Sequence, residues 1–144
     1  MAFVEQSPLS RPGDHPVEAP VVCTLTRFGL RAPHHLLPTY LDFQRVVREA
    51  RRTSTPGLLR AAFLIENPVT CYSLSLWENR QAIPSFGTNV PIHVTAARRV
   101  LGRLAVDSDQ RPELWSTKWR LVSVSNNLSW DGFDLRPLLE AEAV

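Results

Sequence analysis

Residues 70–101 read TCYSLSLWENRQAIPSFGTNVPIHVTAARRVL. The stretch opens on strict alternation. Tyr72, Leu74 and Leu76 share one side, while Cys71, Ser73, Ser75 and Trp77 share the other, which predicts a strand over Thr70–Trp77. A polar turn at Glu78, Asn79 and Arg80 leads into a helix over Glu78–Phe86 that Pro84 is expected to end or kink. Asn89 is the expected N-cap of a second helical segment. Pro91 fits its first turn, and Gly102 closes it after Leu101. This unit sets an indole, Trp77, at a strand end and an imidazole, His93, sixteen residues later, with room for both to face one pocket.

Outward from this unit, the remaining elements follow from the same periodicities. Val21–Phe28, VVCTLTRF, reads as a strand with few charges on either side, as a central strand requires. A helix is predicted over Leu36–Arg52, with Leu37, Tyr40, Leu41, Val47 and Ala50 as its apolar stripe and Phe43 and Val46 widening it. Pro38 is tolerated in its first turn, and Pro56 and Gly57 mark the stop. Leu58–Glu66 is a second strand, joined to Thr70–Trp77 by a short Asn67–Pro68 turn, so the two form an antiparallel hairpin. After a loop at Asp107–Pro112 comes a last strand, Glu113–Ser125, on which Trp115, Thr117, Trp119 and Leu121 share a face.

The order strand–helix–strand–strand–helix–strand predicts the α+β class and the ferredoxin-like βαββαβ arrangement, a four-stranded antiparallel sheet with two helices on one face. The other face, bearing Trp115 and Trp119, would expose too much apolar surface in a monomer, so a homodimer packed sheet against sheet is expected. Residues 21–125 form this domain. Residues 1–20, with four prolines between positions 8 and 20, read as an extended N-terminal arm, and residues 126–144 as a tail packed on the domain or its partner.

Composition narrows the function classes. The chain has 144 residues, enough for one domain with a real core. A net charge of +2, with arginines interleaved among acids, argues against nucleic acid or an anionic membrane as a partner. No apolar run approaches the ~20 residues of a spanning helix and no secretory leader is read, so a cytoplasmic protein is expected. Cys23 and Cys71 fall inside apolar strands without metal-ligand spacing and are expected as reduced, buried thiols. His34 and His35 are adjacent and do not converge on one point, so no metal site is expected. The sequence also lacks a Gly-rich phosphate loop.

The run SLSLWENRQAIPSF, followed by His93, resembles the succession of strand, Trp, acidic turn, helix, Phe or His, then His in the antibiotic-biosynthesis monooxygenase-like branch of the dimeric α+β barrel superfamily. The element order over residues 21–125 is similar too. A heme-containing branch of the spheroidene monooxygenase type shows a similar run and an aromatic, basic last strand, here ELWSTKWRLVSVS. The resemblance implies a small cofactor-independent enzyme of monooxygenase or cyclase type, acting on a hydrophobic aromatic or polyketide-like metabolite in secondary metabolism. The alternatives are a heme-binding monooxygenase-like protein and a non-catalytic dimeric ligand-binding module.

Each candidate residue has a bland reading beside the chemical one. His93 is the candidate general base, or the axial ligand in the heme alternative, or a core-edge histidine. Trp77 and Phe86 are candidate walls of a substrate pocket, though Trp77 could equally wedge sheet against helix. Asn89 is a candidate catalytic amide for a developing oxyanion, or a helix cap. Arg27 is a candidate for holding substrate charge, or for pairing with Glu66 or Glu113. Tyr72 is a candidate substrate-binding residue, on the opposite side of its strand from Ser75.

Overall fold

The computed structural model describes residues 2–5, 22–53, 57–120, 129–130 and 133–134. The chain runs β1 (Ala2–Glu5), β2 (Val22–Gly29), a 3₁₀ turn (Pro33–His35), α1 (Leu36–Arg52), β3 (Leu58–Asn67), β4 (Thr70–Trp77), α2 (Ala82–Asn89), α3 (Pro91–Leu101) and β5 (Leu114–Arg120). A two-stranded ribbon, β6 (Ser129–Trp130) and β7 (Phe133–Asp134), follows. Among the described residues no helix is long and apolar enough to cross a membrane.

The main sheet has the order β1-β3-β4-β2-β5, and every neighbouring pair is antiparallel. β2 and β3 both oppose β4, so they run parallel to each other and α1 is the crossover between them. β4 and β5 both oppose β2 in the same way, with α2 and α3 as their crossover. Two crossovers of the usual right hand put all three helices on one face of the sheet. This is the ferredoxin-like α+β fold, and β1 adds a fifth strand at its outer edge, with Ala2 opposite Ile65 and Glu5 opposite Ala62.

Register fixes which side chains meet the helices. Thr26 lies opposite Ser73 across β2 and β4, and Phe63 opposite Ser73 across β3 and β4. Thr26, Phe63 and Ser73 therefore share the helical side. Arg27, opposite Tyr72 and Trp115, belongs to the other side. Two buried clusters fill the helical side. One gathers Val22, Ala50, Leu58, Trp77, Phe86 and Val90. The other gathers Leu30, Phe63, Cys71, Val100 and Leu104. Gly57 lets the chain enter β3 beside α2. Its φ is +86° and a Cβ there would stand 2.3 Å from the Ala82 Cβ.

α1 and β4 begin and end where the sequence places them, whereas the broken helix differs. Helix starts at Ala82, not Glu78, and Pro84 lies in its first turn instead of ending it. A first-turn N–H has no intrahelical partner to lose, so proline is harmless there. The Ala82 N–H instead donates to Asn79 Oδ1 at 2.9 Å. The break falls at Val90, with φ −110° and ψ 94°. Val90 precedes Pro91, whose ring excludes helical geometry from the residue before it. Asn89 is consequently the last residue of α2, and Val90 occupies the N-cap position of α3 expected for Asn89.

The stripe of α1 is also turned from its expected setting. Leu37 and Leu41 are exposed, at 63% and 43%, while Thr39, Asp42, Val47 and Ala50 are buried. The inward row is 39, 42, 43, 46, 47 and 50, a regular helical spacing in which the first two positions are polar. The expected last strand, Glu113–Ser125, is a strand over Leu114–Arg120, and residues 121–125 lie outside the described residues. So does most of the Pro-rich arm, residues 6–20, and of the 126–144 tail only the ribbon is described.

Candidate active site

Between α1, α3 and the sheet lies a cavity of about 290 Å³. Thr26, Phe63 and Ser73 form its floor, Thr39, Phe43 and Val46 one wall, and His93, Ala96 and Val100 the other. The lining is mostly apolar, which suits a flat hydrophobic guest, and the few polar groups on it stand out.

His93 is the first of these. α3 carries it inward in its first turn, two residues after Pro91, on the same side as Ala96 and Val100. Its ring is held edge-on against Phe86, with centroids 5.1 Å apart at 63°, and Phe86 in turn packs edge-on against Trp77 at 5.1 Å. His93 Nδ1 is buried and makes no hydrogen bond of ordinary geometry. Burial holds the imidazole below its usual pKa of 6.5, opposed only in part by the nearby Gly87 backbone. The ring is therefore neutral at physiological pH and forms part of the cavity wall.

Two polar residues that the sequence reading did not single out line the same cavity. Thr39 is 2% exposed, and its hydroxyl is buried without a partner. Asp42 has no exposed surface and is gripped by three guanidinium groups. Arg45 and Arg99 reach Oδ1 at 2.9 and 3.3 Å, and Arg103 reaches Oδ2 at 2.8 Å. Burial pushes the Asp42 pKa up, but the hydrogen bond and charge of Arg103 and the hydrogen bonds of Arg45 and Arg99 outweigh it and hold the carboxyl below its ordinary range. Asp42 thus pins α1 to α3 across the cavity it lines. Spacing alone could have flagged both residues, because positions 39 and 42 continue the row 43, 46, 47, 50. Their polarity masked them.

The other sequence candidates are dispersed. Trp77 is 4% exposed inside the core cluster, gives its indole N–H to Ser75 Oγ at 2.7 Å, and does not line the cavity. Phe86 lies in the same cluster and touches the site through its contact with His93. Arg27 and Tyr72 are on the far side of the sheet. There Arg27 comes within 4.0 Å of Glu113, the Tyr72 hydroxyl bonds to Glu66, and the Tyr72 ring meets Trp115 edge-on at 6.2 Å. Asn89 sits beside the Val90 break, and its side chain falls outside the described residues. Cys71 is buried with its pKa pushed up to about 12 by desolvation, so it is no thiolate nucleophile. His34 and His35 stack at 4.1 Å on the 3₁₀ turn, and among the described residues no group of three metal-ligating side chains converges.

No family profile matches this chain, and no curated protein sequence does. Solved structures do. SnoaB of Streptomyces nogalater, described as a cofactor-independent oxygenase, superposes with a TM-score of 0.57 at 16% identity, over 74% of this chain and 98% of that one. Rv0793 of Mycobacterium tuberculosis gives 0.58 at 14% identity, over 74% and 99%. A structure described as an antibiotic biosynthesis monooxygenase gives 0.54 at 11% identity, over 72% and 98%. At such identities the likeness is one of architecture: this chain has the fold of the antibiotic biosynthesis monooxygenase-like structures, built around a cavity with His93 on its wall.

Proposed function

We propose that this protein is a small cofactor-independent oxygenase acting on a hydrophobic aromatic or polyketide-like metabolite, with His93 as its general base. One observation carries the reading. His93 lines an apolar cavity of about 290 Å³ from α3, and burial holds its imidazole neutral. The likeness to SnoaB, itself described as a cofactor-independent oxygenase, supports the same reaction class.

In this reading the neutral imidazole of His93 accepts the proton of a phenol. The phenolate is electron-rich enough to pass one electron to O₂. The radical pair then closes to a hydroperoxide at the ring carbon para to the oxygen, and loss of water leaves a quinone. One oxygen atom enters the product and the other leaves as water, so the substrate supplies all four electrons. The apolar lining offers the phenolate few protein groups that could return its proton. Asn89, beside the helix break, is the proposed partner for charge developing on the substrate.

The heme alternative fits the cavity poorly. A cavity of about 150 Å³ holds one benzene ring. A space of about 290 Å³ therefore holds about two fused rings, and a porphyrin joins four pyrroles in one plane. A second copy of the chain is the proposed partner. Trp115 and Trp119 stand 43% and 59% exposed on the sheet face away from the helices, where a two-fold sheet-to-sheet contact would cover them.

The experiment supplies purified protein with a hydroxynaphthalene and follows O₂ uptake and quinone absorbance together. One O₂ is expected per quinone, and His93→Gln should slow both by about 10²–10⁴-fold. Full turnover in that variant would remove His93 from the chemistry. Product formed without O₂ uptake would mark a cyclase. A Soret band in the purified protein, lost in His93→Ala, would restore the heme reading.

A further inference from the structure

The face of a sheet that receives helices is normally apolar, but one row across this face is made of hydroxyls. Ser73 on β4, Thr26 on β2 and Ser116 on β5 are successive cross-strand partners, so their side chains point to the same, helical side. Neighbouring strands lie about 4.8 Å apart, so the row spans about 10 Å. Ser73 and Thr26 belong to the cavity floor. Thr26 Oγ1 and Ser116 Oγ bond to each other at 3.0 Å, and this pair is exposed. Whichever of the two donates, the other keeps its own proton free, so the pair can still donate to a guest. The neighbouring rows offer less. On one side stand Cys71, Phe28 and Leu114; on the other, Ser75 Oγ already takes the Trp77 indole N–H and Thr24 Oγ1 is sealed from water. The cavity opens toward β5, because Leu101 on α3 and Leu114 on β5 both line it and are 47% and 40% exposed. A flat ring entering there stands between the walls of α1 and α3 with one edge down on the sheet.

We infer that the Ser73–Thr26–Ser116 row determines specificity in this cavity, selecting aromatic rings that carry oxygens on alternate carbons, one held by Ser73 and the next by the Thr26–Ser116 pair. Side chains directly opposite on neighbouring strands have Cβ atoms about 5 Å apart. Oxygens on alternate carbons of one ring stand at nearly that separation, whereas oxygens on adjacent carbons are much closer together. The selection presupposes the substrate cavity of the oxygenase reading, but not the proton transfer by His93.

The test measures anaerobic binding of naphthalene, 1,3-dihydroxynaphthalene and its 2,3 isomer to the full-length protein and to its Ser73→Ala and Thr26→Val variants. The two diols have one composition, so only the spacing of their oxygens differs. Wild type should bind the 1,3 isomer about three- to tenfold more tightly than the 2,3 isomer, the increment of one hydrogen bond. Each variant should lose that preference while keeping wild-type affinity for naphthalene, which also shows that its cavity is intact. Equal binding of the isomers by wild type, or a preference that survives in either variant, would refute the role of the row while the aromatic cavity stands. If naphthalene does not bind wild type, the cavity reading falls and this selection falls with it. A preference that behaves as expected in a protein that turns over neither diol in air would support the row and overturn the oxygenase reading alone.

Discussion

Replacing Asp42 by Asn keeps the shape of the side chain and removes its charge. The loss can be worked out contact by contact. Arg103 is only 19% exposed and meets Oδ2 at 2.8 Å, a charge-assisted bond of about 1.5–3 kcal/mol. Arg45 and Arg99 are 52% and 51% exposed, so solvent screens them and each adds only about 0.3–0.5 kcal/mol. The amide also turns an NH₂ toward guanidinium donors. Asp42→Asn should therefore destabilise the protein by about 2–4 kcal/mol at neutral pH. This is less than the ~3–5 kcal/mol of a fully buried pair, because two of the arginines can swing into water.

The acid limb adds an independent check. The folded pKa of Asp42 lies below its unfolded value. Its contribution is thus fully present above the unfolded pKa and is lost as pH falls through the folded one. Urea unfolding of wild type and Asp42→Asn, run from about pH 7 down to about pH 2.5, should show the two curves converging on acidification. A difference under about 0.5 kcal/mol at neutral pH would refute the clamp. So would a gap that stays constant through the acid range, because that would trace the loss to packing and not to charge.

Thr39→Val should raise the stability of the free protein by about 1 kcal/mol, seen as a melting temperature about 3 °C higher by calorimetry; a lower value would mean that the hydroxyl has a partner. His93 is neutral when buried and its folded pKa lies below 6.5, so the unfolded chain binds the extra proton first and wild-type stability should fall as pH drops below about 6.5. His93→Gln should flatten that slope between about pH 6.5 and pH 5 in denaturant titrations. Trp119→Lys should shift light-scattering mass from two chains to one without loss of helical circular dichroism; an unchanged mass would show that this face is not the dimer contact.

Much of the architecture was legible because it is local. The alternation of 70–77 and the span of 36–52 depend on neighbours two to four residues apart, and these elements appear where the periodicity puts them. Val90 was misjudged for a local reason as well: the constraint belongs to the residue before Pro91, which moves the break one position past Asn89.

The site was less legible. Alternation assigned Arg27 and Thr26 to opposite sides of β2, and Tyr72 and Ser73 to opposite sides of β4, but it cannot say which side receives the helices. Strand order and crossover hand decide that, and they put Arg27 and Tyr72 away from His93. Trp77, the most conspicuous residue of the quoted stretch, proves to be core because Phe86 folds back onto it.

The sequence by itself determined the four strands of the βαββαβ core, their order and the side of α3 that carries His93, since each follows from spacing along one segment, but not the added edge strand β1. Only the tertiary structure decided that Thr39 and Asp42 face the cavity. A polar side chain turns inward only if something there compensates its lost water, and for Asp42 that compensation comes from Arg99 and Arg103, 57 and 61 residues further along the chain.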